Sequence, residues 1–449
     1  MIKKFILLSL VASQLMVSCS SEDSPTTDPT KELTLEEQIA NLVKQPYSKL
    51  TPTEQKAKLE VEANEMLVQL DKSKSSSAIE AIENLNRLLD VSTVDIFNGK
   101  NDNEVEDILN ISGAYGIYTW NNTKKIWDKT ASTTELKFVF PAKESLTTNN
   151  AVFSSKGVSS DVKIKFYDGY NGTEEVSDNL FLPSSSDATL TIDNKEAAKF
   201  TQTAKYSTKN PSPDEFAYKM SLNDGYVWEM SGSKAATNTS KATLTYNGKS
   251  LISFNAGSNA EIDKLIDNDE LVQYRGKANG LFSLMDNFVI IADMDLATSG
   301  AEDAALEKSL VFPVYPDSYD PKSDFKAYYT AVNAYYKKSS EGDVANFNKN
   351  YKLILVSKKD GTKIAEIVEH SEKREATIWD TFKLPMWDAN NQYWSWNDKG
   401  ESFTRVSYDE VLYLKFSDNT EVEMSAYFST GFEKLQTKFD DFIAAFNKQ

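Results

Sequence analysis

The sequence predicts an α+β protein with a helical N-terminal layer, a mainly antiparallel β-rich body and an amphipathic C-terminal helix. Three observations predict it. Before residue 90, apolar residues recur at helical spacing behind two Thr-x-x-Glu capping signatures. Beyond Gly113 the period changes to strand-like alternation broken by Asn-Gly and Asp-Gly pairs, and after residue 430 a helical stripe returns.

The helical layer spans residues 34–110. Thr34 with Glu37, and Thr51 with Pro52 and Glu54, open two helices whose apolar positions are Leu35, Ile39 and Leu42, then Leu59, Ala63, Met66, Leu67 and Leu70. A third helix carries Ile79, Ile82, Leu85 and Leu89 after the Lys/Ser stretch 72–77. The β-rich domain spans 111–312. Leu136, Phe138 and Phe140 alternate up to Pro141, and Val162, Ile164 and Phe166 alternate with lysines up to Asp168-Gly169. Residues 241–254 form the clearest hairpin, because Asn247-Gly248 tolerates the positive φ values of a type I′ turn. Asn121-Asn122 and Asp224-Gly225 mark further turns, and residues 288–292 read as a buried strand.

Pro313, Pro316 and Pro321 stiffen a linker at 313–322 that divides the β-rich domain from a last unit at 323–449. There Ser323 is placed to cap a helix bearing Phe325, Tyr328, Tyr329, Val332, Tyr335 and Tyr336 on one side. Hairpins follow at Asp360-Gly361 and at residues 417–420. The closing helix opens on Thr430 and Glu433 and aligns Phe432, Leu435, Phe439, Phe442, Ile443 and Phe446.

The first residues give an address. Lys3 and Lys4 precede an apolar run over 5–17, too short to span a bilayer comfortably, which reads as a cleaved signal peptide at 1–18. Met16-Val17-Ser18-Cys19 resembles the lipobox of bacterial lipoproteins, with Met16 where the family prefers Leu. Ser20-Ser21-Glu22-Asp23-Ser24 look like the Ser- and acid-rich tags of surface-exposed lipoproteins of Bacteroidota-type bacteria. That resemblance covers the signal region alone. It implies lipidation of Cys19, a tether over 19–33 and an outer-membrane protein facing outward, held by acyl chains and not by a transmembrane helix. Cys19 is the sole cysteine, so no internal disulfide forms and stability comes from packing.

Removing residues 1–18 takes away two lysines and lowers the formal charge from −18 to −20. Such a surface repels phosphate backbones, which argues against nucleic acid as a partner. His370 is the only histidine, read here as a surface residue in the polar turn 369–372 after a strand. No Gly-x-Ser-x-Gly elbow accompanies it, so neither a Ser-His-Asp triad nor a His-rich zinc site is indicated. Ser231-Gly232-Ser233-Lys234 and Ser417-Asp418-Asn419 match two motifs of penicillin-binding enzymes, but the Lys-Thr-Gly motif is missing. Asp293 with Asp295, and Asp267, Asp269 and Glu270, lack the loop spacing of a calcium site. The Asn171-Gly172-Thr173 match to a glycosylation acceptor is incidental in a bacterial lipoprotein. No catalytic residue, metal or cofactor is assigned.

The stretch that stands out holds four of the seven tryptophans: Trp379, Trp387, Trp394 and Trp396, with Tyr393 between the last pairs. On a strand, Trp394 and Trp396 share a face about 7 Å apart, a spacing that stacks on successive rings of a glycan. Asp388, Asn390, Asn391 and Gln392 supply hydrogen-bonding groups beside it. The competing reading makes these rings core beneath a long loop. The sequence thus points to a non-enzymatic binding or accessory lipoprotein of the outer envelope, with Trp387, Asn390, Asn391, Tyr393, Trp394 and Trp396 as its ligand surface. A structural or assembly lipoprotein that binds another envelope protein competes with it, and a carboxylate-dependent hydrolase stands third.

Overall fold

The computed structural model describes residues 33–92, 94, 109, 112–207 and 211–429. Three helices come first: α1 (Leu35–Val43), α2 (Pro52–Asp71) and α3 (Ser77–Val91). Both capping boxes form. Thr34 and Thr51 accept from the backbone N–H groups of Glu37 and Glu54, whose carboxylates accept in return from the threonine N–H groups. Ser76 caps α3, which buries Ile79, Ile82, Leu85, Leu88 and Leu89.

The body is one sheet of sixteen strands among the described residues. Its first part holds β1 (Gly116–Asn121), β2 (Ile126–Thr130), β3 (Leu136–Phe140), β4 (Ala151–Tyr170), β5 (Glu175–Ile192), β6 (Lys195–Lys205) and β7 (Glu215–Leu222). It continues through β8 (Tyr226–Ser233), β9 (Asn238–Tyr246), β10 (Lys249–Ser258), the short helix α4 (Ile262–Asp267), β11 (Lys277–Leu284) and β12 (Phe288–Asp295). Helices α5 (Leu296–Ser309) and α6 (Phe325–Asn350) then intervene before β13 (Tyr351–Ser357) and β14 (Thr362–Lys373). An excursion carries β15 (Thr381–Lys383), β16 (Met386–Asp388), β17 (Tyr393–Ser395) and β18 (Ser402–Thr404). The chain returns to the sheet as β19 (Tyr408–Lys415) and β20 (Glu421–Glu423), followed by α7 (Met424–Tyr427).

The sheet order is β2-β1-β3, then every strand in sequence to β14, then β19 and β20. Only β1 and β3 pair in parallel; the other neighbours are antiparallel. Asn247 and Gly248 take φ values of 49° and 74° between β9 and β10, as a type I′ turn requires. Strands β4 and β5 are far longer than their neighbours. β3 covers only residues 151–155 of β4, and β6 only residues 185–192 of β5, so the outer half of this hairpin projects past the sheet paired mainly with itself.

Alternation turns one face of the sheet toward α2 and α3. Phe138, Phe140, Phe153, Leu190, Phe200 and Leu244 meet Met66, Leu70, Ile82 and Leu85 in the larger core. A second core joins Leu353, Leu355, Ile367 and Leu414 to Leu59 of α2 and Phe347 of α6. α2 therefore lies across both. On the opposite face, Leu281, Val289, Ile291 and Val356 are covered by Leu35, Ile39 and Leu42 of α1.

Two sequence expectations meet the structure differently, and a third falls outside it. The proline-rich stretch 313–322 is an extended connection between α5 and α6, yet β12 and β13 on its two sides pair directly, with Ile290 opposite Leu355. The sheet runs through that boundary. Asp324, not Ser323, caps α6: its carboxylate accepts from Ala327 N–H at 2.8 Å, while Ser323 Oγ donates to the Asp317 carbonyl. The helix expected over residues 430–446 lies outside the described residues.

Candidate functional site

The excursion between β14 and β19 is anchored on α6 by aromatic side chains. β15 and β18 pair with Phe382 opposite Phe403, and both rings rest on Tyr329 of α6, with centroids 4.8 and 5.8 Å away. β16 and β17 pair with Trp387 opposite Trp394, whose rings meet edge to face at 6.1 Å. Trp394 then leans on Phe325 at 5.3 Å, and Trp396 reaches Phe325 at 6.2 Å and Tyr329 at 6.3 Å. Trp394 and Trp396 do share a face, and it is turned to the first turns of α6. Such offset and edge contacts contribute about 0.5–1.5 kcal/mol each beyond burial.

The tryptophans divide into two kinds. Trp394 is a staple: its backbone N–H donates to the Ser318 carbonyl at 2.8 Å and its indole N–H to the Asp320 carbonyl at 2.9 Å. Both polar groups hold the connection before α6 in place. Trp387 is half-buried beside it. Trp396 remains 49% exposed and Trp379 83% exposed, with Tyr393 on the rim and Tyr319 largely open to solvent. The core reading thus fits Trp387 and Trp394, whereas Trp379 and Trp396 offer open rings.

The polar residues expected beside the platform fold on themselves. Asp388 accepts from the N–H groups of Asn390 and Asn391 at 2.9 and 3.1 Å and from the Asn391 amide at 2.9 Å, and Gln392 closes the turn with φ 55°. The Asn391 amide and these backbone bonds hold the Asp388 carboxyl below the usual carboxylate range. Asn391 therefore shapes the turn. Nearby, the Asp380 carboxylate accepts from Thr377 N–H and Oγ1, which lowers its titration, helped at longer range by Arg374 and Arg405.

Other chemistry-bearing residues lie elsewhere. His370 is inside β14, opposite Val411, and not in a turn after a strand; the polar run 369–372 extends the strand, with Glu369 N–H donating to Asn348 and Ser371 bonded to Ser340 on α6, and Glu372 accepting from Tyr413 on β19. Its Nε2 lies 2.7 Å from Glu421, and its ring stands edge-on to Tyr413 at 4.7 Å. Tyr413 donates to Glu372, which pushes its phenol up to about 12. Asp295 caps α5 and pairs with Lys277. Among the described residues, no group of His, Asp and Glu has metal-binding geometry, and no helix is long and apolar enough to cross a membrane.

Sequence reasoning found Trp387, Trp394 and Trp396 but not their supports Phe382 and Phe403, nor the arginines beside them. Residues 374 and 405 are brought together only by the β14–β19 pairing, where Arg374 N–H donates to the Ser407 carbonyl at 3.0 Å. The chain matches no protein-family model, no curated protein and no solved structure.

Proposed function

We propose that this protein is a non-enzymatic binding lipoprotein of a bacterial outer envelope, anchored through Cys19, which captures an extracellular glycan on the aromatic face of α6 and its excursion. The observation that carries it is the open indole of Trp396, mounted on Phe325, Tyr329 and Phe382, with a second open indole, Trp379, on the same excursion. A sugar ring presents apolar C–H faces to such surfaces and gains from stacking without losing the hydration of its hydroxyls. The residues around Cys19 support the anchor, and the acidic surface disfavours nucleic acid.

The test titrates the soluble chain, starting after Ser24, with a panel of polysaccharides while tryptophan fluorescence is recorded. A saturable change that is lost in Trp379→Ala/Trp396→Ala, with unfolding unaltered, is the expected result. Equal titration of the variant sinks the assignment of the site. For the anchor, Cys19→Ala is expected to lose incorporation of a palmitate analogue and to leave the membrane fraction.

One observation favours a second reading, a structural or assembly lipoprotein that docks on another envelope protein. Val311 and Val314, in the extended stretch between α5 and α6, are 83% and 89% exposed, next to Phe312 and Tyr315. Apolar side chains aligned along open backbone are the kind of surface that partners cover. Surface crosslinking through Val311→Cys separates the readings: a specific protein adduct favours docking.

A further inference from the structure

Two turns along α6 from Tyr329, the same excursion walls a cleft of about 330 Å³. Tyr336, Ser339 and Asp343 of α6 form one side; Arg374, Arg405 and Tyr408 form the other. Ser340 lies at its base, hydrogen-bonded to Ser371 at 2.8 Å and to Glu410 at 2.9 Å. The walls are held by backbone bonds from Arg374 to Ser407 and from Arg405 to Asp380, the latter at 2.8 Å.

The arginines here are unusual for this chain. It carries only four, at 87, 275, 374 and 405, and uses lysine for every other side-chain cation apart from histidine. The two elsewhere are engaged: Arg87 grips Asn84 at 2.7 and 3.0 Å and pairs with Glu144, and Arg275 donates to the Asp269 carbonyl. Arg374 and Arg405 make neither a side-chain hydrogen bond nor an ion pair with any described residue, and both are exposed at the cleft. Each guanidinium offers a planar fork that matches a carboxylate bidentately, which lysine cannot do. Around them the carboxylates already accept: Asp380 from Thr377 and Glu410 from Ser340.

We infer that this cleft is a subsite for a carboxylate-bearing sugar residue, its carboxylate forked by Arg374 and Arg405 and its hydroxyls donating to Asp380. The inference rests on the glycan reading above and adds the ligand's chemical class. The acidic surface of the chain disfavours a polyanion, so the charged sugar is a single unit on an otherwise neutral glycan. The aromatic face binds the neutral units next to it.

The test compares xylo-oligosaccharides carrying one glucuronate, and sialyllactose, with their uncharged counterparts, by calorimetry on the soluble chain. In at least one pair the charged member is expected to bind at least tenfold tighter, with the advantage shrinking as salt rises. Arg374→Gln and Arg405→Gln each remove that advantage and leave the melting temperature unchanged, while Arg374→Lys keeps the charge and still loses most of it. Equal affinity for charged and neutral members, or an advantage that survives both Gln variants, overturns the inference. If neutral glycans bind and only Trp379→Ala/Trp396→Ala abolishes binding, the glycan reading stands and the subsite falls. If no probe or polysaccharide binds, both fall.

Discussion

At the scale of single residues, the excursion separates side chains that hold it from side chains that it displays. Trp394 spends its indole N–H and backbone N–H on the connection before α6, and Trp394→Ala should cost about 2–3 kcal/mol in denaturant unfolding, by lost burial and the loss of the indole donor to the Asp320 carbonyl. Trp396→Ala, at a half-exposed position, should cost under about 1 kcal/mol. Comparable losses for the two would remove the distinction. Asp388 and Asp380 titrate below the ordinary carboxylate range when folded. A depressed folded value means that their contribution is present above the unfolded value, near ~3.9, and disappears as pH falls through the lower folded one. The β16–β17 hairpin should therefore keep its tryptophan emission down to about pH 4 and change below it. Asp388→Asn removes a titrating group, and an acid transition that persists unaltered in this variant contradicts the assignment. The tryptophans were legible in the sequence because four rings in eighteen residues are a compositional signal. Arg374 and Arg405 were not, since no local pattern joins residues thirty-one apart.

At the scale of elements, what is local was legible and what is distant was not. The caps at Thr34 and Thr51 and the turns at Asn247-Gly248 and Asp360-Gly361 are set by short-range backbone geometry, and all four form. Thr51→Ala should destabilise by about 1 kcal/mol, because Glu54 N–H loses its acceptor. Leu85→Ala, at a wholly buried position on the inner face of α3, should cost about 2–5 kcal/mol by opening a cavity. Thermal unfolding followed by circular dichroism ranks the two, and a larger loss at Thr51 would contradict this account of α2. His370 shows the limit of local reading: Glu369-His370-Ser371-Glu372 looks like a turn until β19 is present to pair with it. The proline-rich stretch 313–322 misleads in the same way, since it ends a helix without ending the sheet.

At the scale of the whole molecule, the continuous sheet and the placement of α2 couple the two cores. Leu59 packs in one and Met66 and Leu70 in the other, so damage to either should be felt by both. Phe138→Ala and Leu414→Ala, one in each core, are expected to lower a single unfolding transition by about 3–5 and 2–5 kcal/mol. Hydrogen exchange in β3 and β13 should then accelerate together in both variants; acceleration confined to one strand would mean two independent units. The meander also carries a kinetic consequence. Nearly every strand finds its partner across a short turn, so closure is cheap and contacts are local for so large a sheet. Longer connections separate β10 from β11 and β14 from β19, and the longest lies between β12 and β13: residues 296–350 separate them, and closing a loop of roughly 55 residues in place of roughly four costs about 2 kcal/mol more in chain entropy. The slow step of folding should be the moment when α5 and α6 fold back and let those two strands meet.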